Sequence, residues 1–285
     1  MCAEAQMSLA PTTLSNFPQA VPDSAGIPES VKSEVLVAPF NDIDFINNFL
    51  NQEYSNIAAI IVEPLQRIIP PIKDFLPSLR RLCDKYGILL IFDEVVTGYR
   101  FAYGGAQEYY GVTPDICTLG KIIGGGFPLA AIAGRKDIMA HFDKSKVGSE
   151  EFLMQIGTLS GNPIASIAGL KTLEILRQPG SYKKLRQNGQ RIINCIFKNL
   201  AEQGIEHKIV GDQTLFDILF TNANVLNYRD VQKNNIEQYN LFNKVLKDHG
   251  IFKPIGKMYM SLALTEDDLV QTEMAIEKAS LALAS

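Results

Sequence analysis

"GILLIFDEV", residues 87–95, is a short apolar run that ends in two acids. A run of this length, bounded by glycine and by acids, is typical of a strand that is buried on both faces. Four other runs share this character, and we predict a buried strand in each: "SEVLVAPF" (33–40), "IAAIIVEP" (57–64), "DICTLG" (115–120) and "LAAIAG" (129–134).

Helical patterns lie between these runs. Apolar residues recur with a period near 3.6 in two of the intervening segments: Phe45, Ile46, Phe49 and Leu50, then Phe75, Leu76, Leu79, Leu82, Cys83 and Tyr86. Alternating strands and helices predict an α/β fold with a mainly parallel sheet covered by helices and joined by right-handed crossovers. Ligands bind such sheets at the carboxyl ends of the strands.

The C-terminal part has a different character. Two long helices, "ASIAGLKTLEILRQ" and "YKKLRQNGQRIINCIFKNLAEQG", come first, and a last helix starts at Thr265, where Asp268 has the capping-box spacing. We predict a smaller α+β domain over residues 173–285. The predicted large domain covers residues 31–172, and a Pro/Ser/Thr-rich irregular lead-in covers residues 1–30.

Composition disfavours several classes of partner. The net charge of −4 provides no basic field for nucleic acid or an anionic membrane. The four cysteines form no CxxC pair, so we predict neither a zinc site nor a disulfide framework. The apolar runs are too short to span a bilayer, and no secretory signal is recognisable. We therefore predict a cytoplasmic protein.

Two acids at a strand end are the first candidate functional residues. Asp93 and Glu94 follow "GILLIF" at the carboxyl end of a predicted strand. A carboxylate in that place can stay ionised and hold a proton on a ring nitrogen. Taken alone, a helix cap or a hydrogen-bonded loop acid is the more frequent role for either residue.

Lys121 is the second candidate. It follows the predicted strand "DICTLG" and precedes three glycines, residues 124–126. A lysine amine in a semi-enclosed site loses its charge more readily and can form a Schiff base with a carbonyl, although a solvated lysine fits this segment equally well. A P-loop is disfavoured, because Ile122 stands where that motif needs Ser or Thr. Nucleotide binding is thus a minor alternative.

"GTLSGNP", residues 157–163, is a polar turn before a helix, and such a turn offers backbone N–H groups and a hydroxyl to a phosphate. Taken alone, helix capping by Ser160 or Asn162 is the more frequent role of such a turn. The ordered set of acid, lysine and turn is more specific than any of its members.

Four segments in one order carry a resemblance to a known family: "AAIIVEP", "LRRLCDKYGILLIFDEVVTGYR", "GGAQEYYGVTPDICTLGKIIGGGFPLAAIAGR" and "GTLSGNPIASIAGLKTL". They resemble class III aminotransferases, and most closely the glutamate-1-semialdehyde 2,1-aminomutases and their relatives. The similarity runs from about Ile27 to the C-terminus. It implies a fold-type-I enzyme that uses pyridoxal 5'-phosphate (PLP) and is usually a homodimer with active sites at the subunit interface.

The resemblance also implies residue roles. Lys121 would be the Schiff-base lysine, and Asp93 would keep the pyridine nitrogen of PLP protonated. Val95 would pack on the cofactor ring, and Thr158 would reach the phosphate bound by the partner subunit. The implied activity is amino-group transfer between a small-molecule donor and acceptor, or onto a carrier-bound keto substrate.

Two departures from the family pattern stand out. The family's upstream segment, with a phosphate-binding turn and an aromatic residue that stacks on the ring, cannot be found here. That segment would also supply two strands, one at a sheet edge and one between those matching "LLIF" and "EVLVAP", so residues 35–38 should lack a neighbour and leave apolar surface bare. This predicts a truncated or split gene product, or an excised piece of a larger enzyme. A noncatalytic remnant or partner subunit is the alternative to an active enzyme.

The second departure concerns the loop at residues 254–257, which is shorter than in the aminomutases. It resembles aminotransferase modules of polyketide and nonribosomal peptide synthesis at least as well. Val96 stands where many aminotransferases place a glutamine. Arg100 is a candidate for binding a substrate carboxylate and Glu63 for orienting its neighbours, although packing or surface roles fit both residues equally well.

Overall fold

A computed structural model describes residues 20–22 and 24–284. Most of the predicted lead-in lies outside these residues. The helices within them are α1 (Glu29–Ser33), α2 (Ile43–Glu53), α3 (Phe75–Tyr86), α4 (Gly105–Tyr110), α5 (Lys136–Met139), α6 (Lys144–Val147), α7 (Pro163–Leu176), α8 (Ser181–Glu202), α9 (Tyr228–Val231), α10 (Ile236–Asp248) and α11 (Glu266–Leu283). The strands are β1 (Ala59–Val62), β2 (Leu89–Glu94), β3 (Ile116–Leu119), β4 (Ala131–Gly134), β5 (Lys208–Asp212), β6 (Leu215–Leu219) and β7 (Met258–Tyr259).

The N-terminal part contains a four-stranded sheet in the order β1-β2-β3-β4. Strand β2 is parallel to both β1 and β3, because helix α3 and then helix α4 carry the chain back between them. No long crossover separates β3 from β4, and β4 returns antiparallel to β3. The mainly parallel α/β sheet that the sequence predicts is thus confirmed.

Helices cover one face of strands β1, β2 and β3, whereas β4 is exposed on both faces. The side chains of Leu90 and Phe92 on β2 form one apolar cluster with residues of α2 and α3, among them Leu79. On the opposite face, Ile61 is 63% exposed and Ile132 is 48% exposed. The prediction of strands buried on both faces is therefore wrong for the described residues, and the predicted bare apolar surface is present.

The predicted strand at residues 33–40 does not form. Ser33 ends helix α1, and the following residues are irregular apart from an isolated bridge at Leu36. A strand exists only where a neighbour completes its ladder of hydrogen bonds, and none of the described sheets includes this segment. The apolar pattern predicts a buried strand here because it contains no information about the neighbour.

The C-terminal part contains a three-stranded antiparallel sheet in the order β5-β6-β7. Helices α8, α10 and α11 bury their apolar faces against it in a second core, to which Ile196, Phe242 and Ile276 belong. The predicted capping box is confirmed, since the Thr265 hydroxyl accepts from the Asp268 N–H and the Asp268 carboxylate accepts from the Thr265 N–H. The domain boundary after residue 172 stays a prediction, and α7 crosses that position.

Candidate active site

Asp93 lies at the carboxyl end of β2, on the sheet face that helices leave open. Its Oδ1 accepts two hydrogen bonds, from the Val95 N–H at 3.1 Å and from the Thr118 hydroxyl at 3.2 Å. Its Oδ2 has no hydrogen-bond partner among the described residues. The carboxylate is half-buried. The protein fixes Oδ1, and Oδ2 can accept a hydrogen bond from a bound ligand.

Lys121 lies at the carboxyl end of the neighbouring strand β3. It opens a 3-10 turn, Lys121–Gly124, with a φ of +48°, a conformation that costs free energy for a residue other than glycine. The turn packs closely on α7, since a Cβ at Gly125 would lie 2.5 Å from the Ala168 carbonyl oxygen. Lys121 is exposed, and within residues 24–284 no acceptor binds its ammonium.

Register brings the two residues to one edge of the sheet. Asp93 pairs with Thr118 across the β2–β3 ladder, and Lys121 follows three positions later. Gly120 lies against Val95, because a Cβ at residue 120 would be 3.3 Å from Val95 Cγ1. The structure therefore places Asp93, Val95 and Lys121 at the same carboxyl-terminal edge.

Thr158 belongs to a different segment of the chain from these three residues. It is exposed in the turn before α7, and no hydrogen bond joins it to any described residue. Of the two predicted caps for α7, Asn162 is the one used, since its Oδ1 accepts the Ala165 N–H at 2.9 Å. The chain therefore leaves the Thr158 hydroxyl available to a group outside the described residues.

Glu94 has the structural role that the sequence left open for it. Its buried carboxylate accepts hydrogen bonds from the Thr97 hydroxyl at 3.1 Å, the Ala106 N–H at 2.6 Å and the Gln107 amide at 2.9 Å. Gly105 has a φ of +70°, and a side chain there would overlap the Glu94 carboxylate. Glu94 thus fixes the loop that follows β2 and the start of α4.

Three consecutive residues of that loop are tied to the C-terminal part. The Tyr182 hydroxyl donates to the Tyr99 carbonyl at 3.0 Å, Arg100 Nη1 donates to the Met260 carbonyl at 2.7 Å, and Arg186 donates to the Phe101 carbonyl. Burial lowers the pKa of Arg100, and the nearby Tyr259 and Tyr182 partly oppose this shift. The Arg100 guanidinium thus joins two parts of the chain, in agreement with the packing alternative.

Sequence reasoning missed an ionic cluster at the amino end of β3, the end opposite to Lys121. Asp115, just before β3, accepts from the Leu90 N–H at 2.8 Å, from Arg80 at 2.9 Å and from Arg135 at 3.0 Å. Burial alone would raise the pKa of Asp115, but these hydrogen bonds outweigh it and hold the pKa below its ordinary value. One carboxylate thereby connects α3, β2 and the end of β4.

The short loop at residues 254–257 is held by a buried ion pair. Lys253 Nζ lies 2.9 Å from the Asp217 carboxylate, and the Tyr239 hydroxyl donates to the same carboxylate at 2.8 Å. The Gly256 N–H donates to the Tyr239 oxygen at 2.6 Å. This network holds a loop whose Ile255 side chain remains exposed.

The arrangement suits a flat ligand with a basic ring nitrogen and a carbonyl carbon. A carboxylate oxygen without a protein partner can accept the N–H of a protonated ring nitrogen. An amine without a counter-ion can attack the carbonyl carbon. Within residues 20–22 and 24–284, no three metal-binding side chains gather into a cluster, and no helix is both long and apolar enough to span a bilayer.

Comparison with known proteins shows which family this chain is similar to. The family model "Aminotransferase class-III" matches residues 6–279. A Brevibacillus brevis protein named glutamate-1-semialdehyde 2,1-aminomutase 2 is 38% identical over 258 residues, which are 88% of this chain and 59% of that protein. The chain thus spans less than two thirds of this relative's length.

Solved structures share the fold. An ω-transaminase from Sphaerobacter thermophilus superimposes with a TM-score of 0.88 at 32% identity, covering 96% of this chain and 63% of that one. A structure described as a transaminase with PLP bound has a TM-score of 0.82 at 27% identity and covers 93% of this chain and 62% of that one. These similarities confirm the predicted fold class.

Proposed function

We propose, from the premise that this chain belongs to the class III aminotransferase family, that the protein transfers amino groups with PLP as its cofactor. Lys121 is the residue proposed to bond to the cofactor, and Asp93 is proposed to hold the cofactor's ring nitrogen. The related PLP-bound transaminase supports the choice of cofactor. The roles of individual residues are part of the proposal.

One observation carries the proposal. Asp93 and Lys121 lie at the carboxyl ends of two adjacent parallel strands, and each presents a polar atom that no described residue binds. A free carboxylate oxygen and a free amine at one edge of the sheet fit the two reactive ends of a pyridine aldehyde. If this lysine and this acid had no shared role, nothing would require them to lie at the ends of two paired strands.

Each residue would perform a defined step. When bound, PLP supplies an electron sink for the bonds of the attached carbon, provided that its ring nitrogen stays protonated. The Asp93 carboxylate favours that protonated nitrogen by direct charge pairing. The Lys121 amine would hold the cofactor through its aldehyde carbon, and the same amine would be placed to accept or donate a proton beside that carbon.

A second copy of the chain is part of the proposal. Thr158 would then reach the phosphate held in the partner subunit, with Val95 packing on the ring. Exposed apolar side chains surround the Thr158 turn and continue along α7, and such a surface is expected where another subunit packs: Leu153, Met154, Ile156, Leu159, Ile164, Ile167 and Leu170.

The substrates, the location and the domain limits are also part of the proposal. We propose a small-molecule amino donor with a small-molecule or carrier-bound keto acceptor, and a cytoplasmic location. Cys83, Cys117 and Cys195 all carry free thiols, which suits a reducing compartment. We propose a cofactor-binding domain over residues 31–172 and a small domain over residues 173–285.

Mixing the purified chain with PLP tests the proposal. We expect an absorbance band near the visible edge that Lys121→Ala abolishes. Borohydride should bleach this band by reducing the imine and leave the cofactor covalently attached to Lys121. Lys136 is a matched control, since it is also exposed and has no ion pair among the described residues, so Lys136→Ala should keep the band.

Absence of the band from every preparation would favour the alternative, a noncatalytic remnant or partner subunit that keeps the fold without the cofactor. A band that survives Lys121→Ala would contradict the assignment of the lysine and leave the family membership untouched.

A further inference from the structure

We propose that Thr118 is a positioning residue that orients the Asp93 carboxylate toward the ring nitrogen of the cofactor. This inference rests on the proposed function and deepens it. Thr118 is not expected to touch the cofactor's reacting atoms, and its hydroxyl acts through Asp93.

The position of Thr118 leaves its hydroxyl one polar partner. In the sheet register, Thr118 pairs with Asp93 on β2 and with Ile132 on β4, so the three side chains share a face. Ile132 offers no acceptor. The hydroxyl donates to Asp93 Oδ1 at 3.2 Å and makes no other hydrogen bond with the described residues.

Two donors on one oxygen give the carboxylate a defined orientation. The Val95 N–H comes from the chain just beyond Asp93, and the Thr118 hydroxyl comes from the neighbouring strand. These two donors fix Oδ1 from two directions, so Oδ2 is the oxygen that can accept a hydrogen bond from a further donor. With the Val95 N–H alone, the carboxylate could rotate about its Cβ–Cγ bond and present either oxygen.

A purely structural role for this contact must be distinguished from the proposed one. Polar pairs across adjacent strands stabilise many sheets and serve no ligand. The ring nitrogen distinguishes the two roles. If Thr118 affects cofactor binding through Asp93, the effect requires a ring nitrogen for Asp93 to bind. A structural effect would weaken the site for any ring of the same shape.

The test compares PLP with its 1-deaza analogue, in which a C–H group replaces the ring nitrogen and the aldehyde is retained. Each compound is titrated against the chain, the bond to lysine is fixed with cyanoborohydride, and mass spectrometry measures the labelled fraction of Lys121 against that of Lys136. Thr118→Val removes the hydroxyl at nearly constant volume, and Thr118→Ser keeps it.

We expect Thr118→Val to raise the PLP concentration for half-labelling of Lys121 about tenfold, the effect of one hydrogen bond to a charged group. The half-labelling concentration of the analogue should change less than about twofold, and Thr118→Ser should behave like the unsubstituted chain. Thr214 makes a comparable bond to Asp212, at 2.8 Å, in the C-terminal part, so Thr214→Val should leave both titrations unchanged. If Thr118→Val does not fold, Thr118→Ala is compared with the same two compounds.

Equal effects of Thr118→Val on the two compounds, or no effect on either, would overturn the role of Thr118 while the proposed function stands. If half-labelling of Lys121 in the unsubstituted chain needs as much PLP as half-labelling of Lys136, the proposed function and the inference both fail. The two failures are thereby distinguishable.

Discussion

Gly169 on helix α7 lies against the backbone of Ile123, so closely that a Cβ at residue 169 would overlap the Ile123 carbonyl oxygen. Gly125, at the end of the same turn as Ile123, also contacts α7, and its missing Cβ leaves room for the Ala168 carbonyl. The turn that carries Lys121 is therefore seated on α7 through two glycines. Glycine permits this close approach of two backbones.

Gly169→Ala should destabilise the chain although alanine is the better helix former. Alanine within a helix gains up to about 1 kcal/mol over glycine, whereas forcing the turn away from α7 should cost about 3 kcal/mol, so the net loss is about 2 kcal/mol. Urea unfolding measures this loss. Lys171→Ala, at an exposed position of the same helix, should change the unfolding free energy by less than about 0.5 kcal/mol, and an equal effect of both variants would contradict the packing account.

Asp115→Asn should destabilise the chain by about 2 kcal/mol at pH 7, since Arg80 and Arg135 lose their shared buried carboxylate. The pKa of Asp115 lies below its unfolded value, so its stabilisation is complete above the unfolded pKa and disappears as the pH falls through the folded pKa.

Urea unfolding between pH 3 and pH 7 checks this expectation. The difference between the unsubstituted chain and Asp115→Asn should shrink toward the acid end. Asp84 pairs with the same Arg80 but is exposed, so Asp84→Asn should cost less than about 1 kcal/mol. A difference that stays constant down to pH 3 would contradict the assigned shift.

The thiols of Cys83 and Cys195 should react slowly with iodoacetamide near neutral pH. Burial raises the pKa of each to about 11, so little of either thiol is the reactive thiolate. We expect alkylation at pH 7.5 about a hundredfold slower than for a free cysteine peptide, with the rate rising as the pH approaches 11. Peptide mass spectrometry of a Cys2→Ser variant follows each thiol, and peptide-like rates at pH 7.5 would contradict the burial.

Ile167→Asp should halve the molecular mass of the proposed homodimer in solution. Ile167 is 69% exposed on α7, in the apolar surface assigned to a second copy, and an aspartate there would be desolvated without a partner. Light scattering measures the mass. Met274→Asp on α11 is the control at another exposed apolar site and should leave the mass unchanged, whereas a monomeric unsubstituted chain would contradict the proposed assembly.

Much of the fold follows from local pattern. Strand β2 and the capping box at Thr265 were predictable because their signals lie within a few consecutive residues. Residues 33–40 were mispredicted because a strand also depends on a neighbour that the pattern does not specify. Burial on both faces was mispredicted for the same reason, since the apolar runs do not identify what covers them.

The candidate site was likewise predictable only in part. Asp93 and Lys121 were recognisable as candidates because each follows an apolar run at a strand end. The contact between Thr118 and Asp93 spans 25 residues, and the contact between Arg80 and Asp115 spans 35, so neither leaves a local signal in the sequence. Such contacts become visible only when the sheet register is known.

The most direct measurement of the central claim is the distance between the cofactor's ring nitrogen and Asp93 Oδ2 in a crystal of the chain soaked with PLP. We predict about 2.8 Å, with the aldehyde carbon bonded to Lys121 Nζ. A cofactor bonded elsewhere, or a ring nitrogen separated from the Asp93 carboxylate by packed side chains, would contradict it.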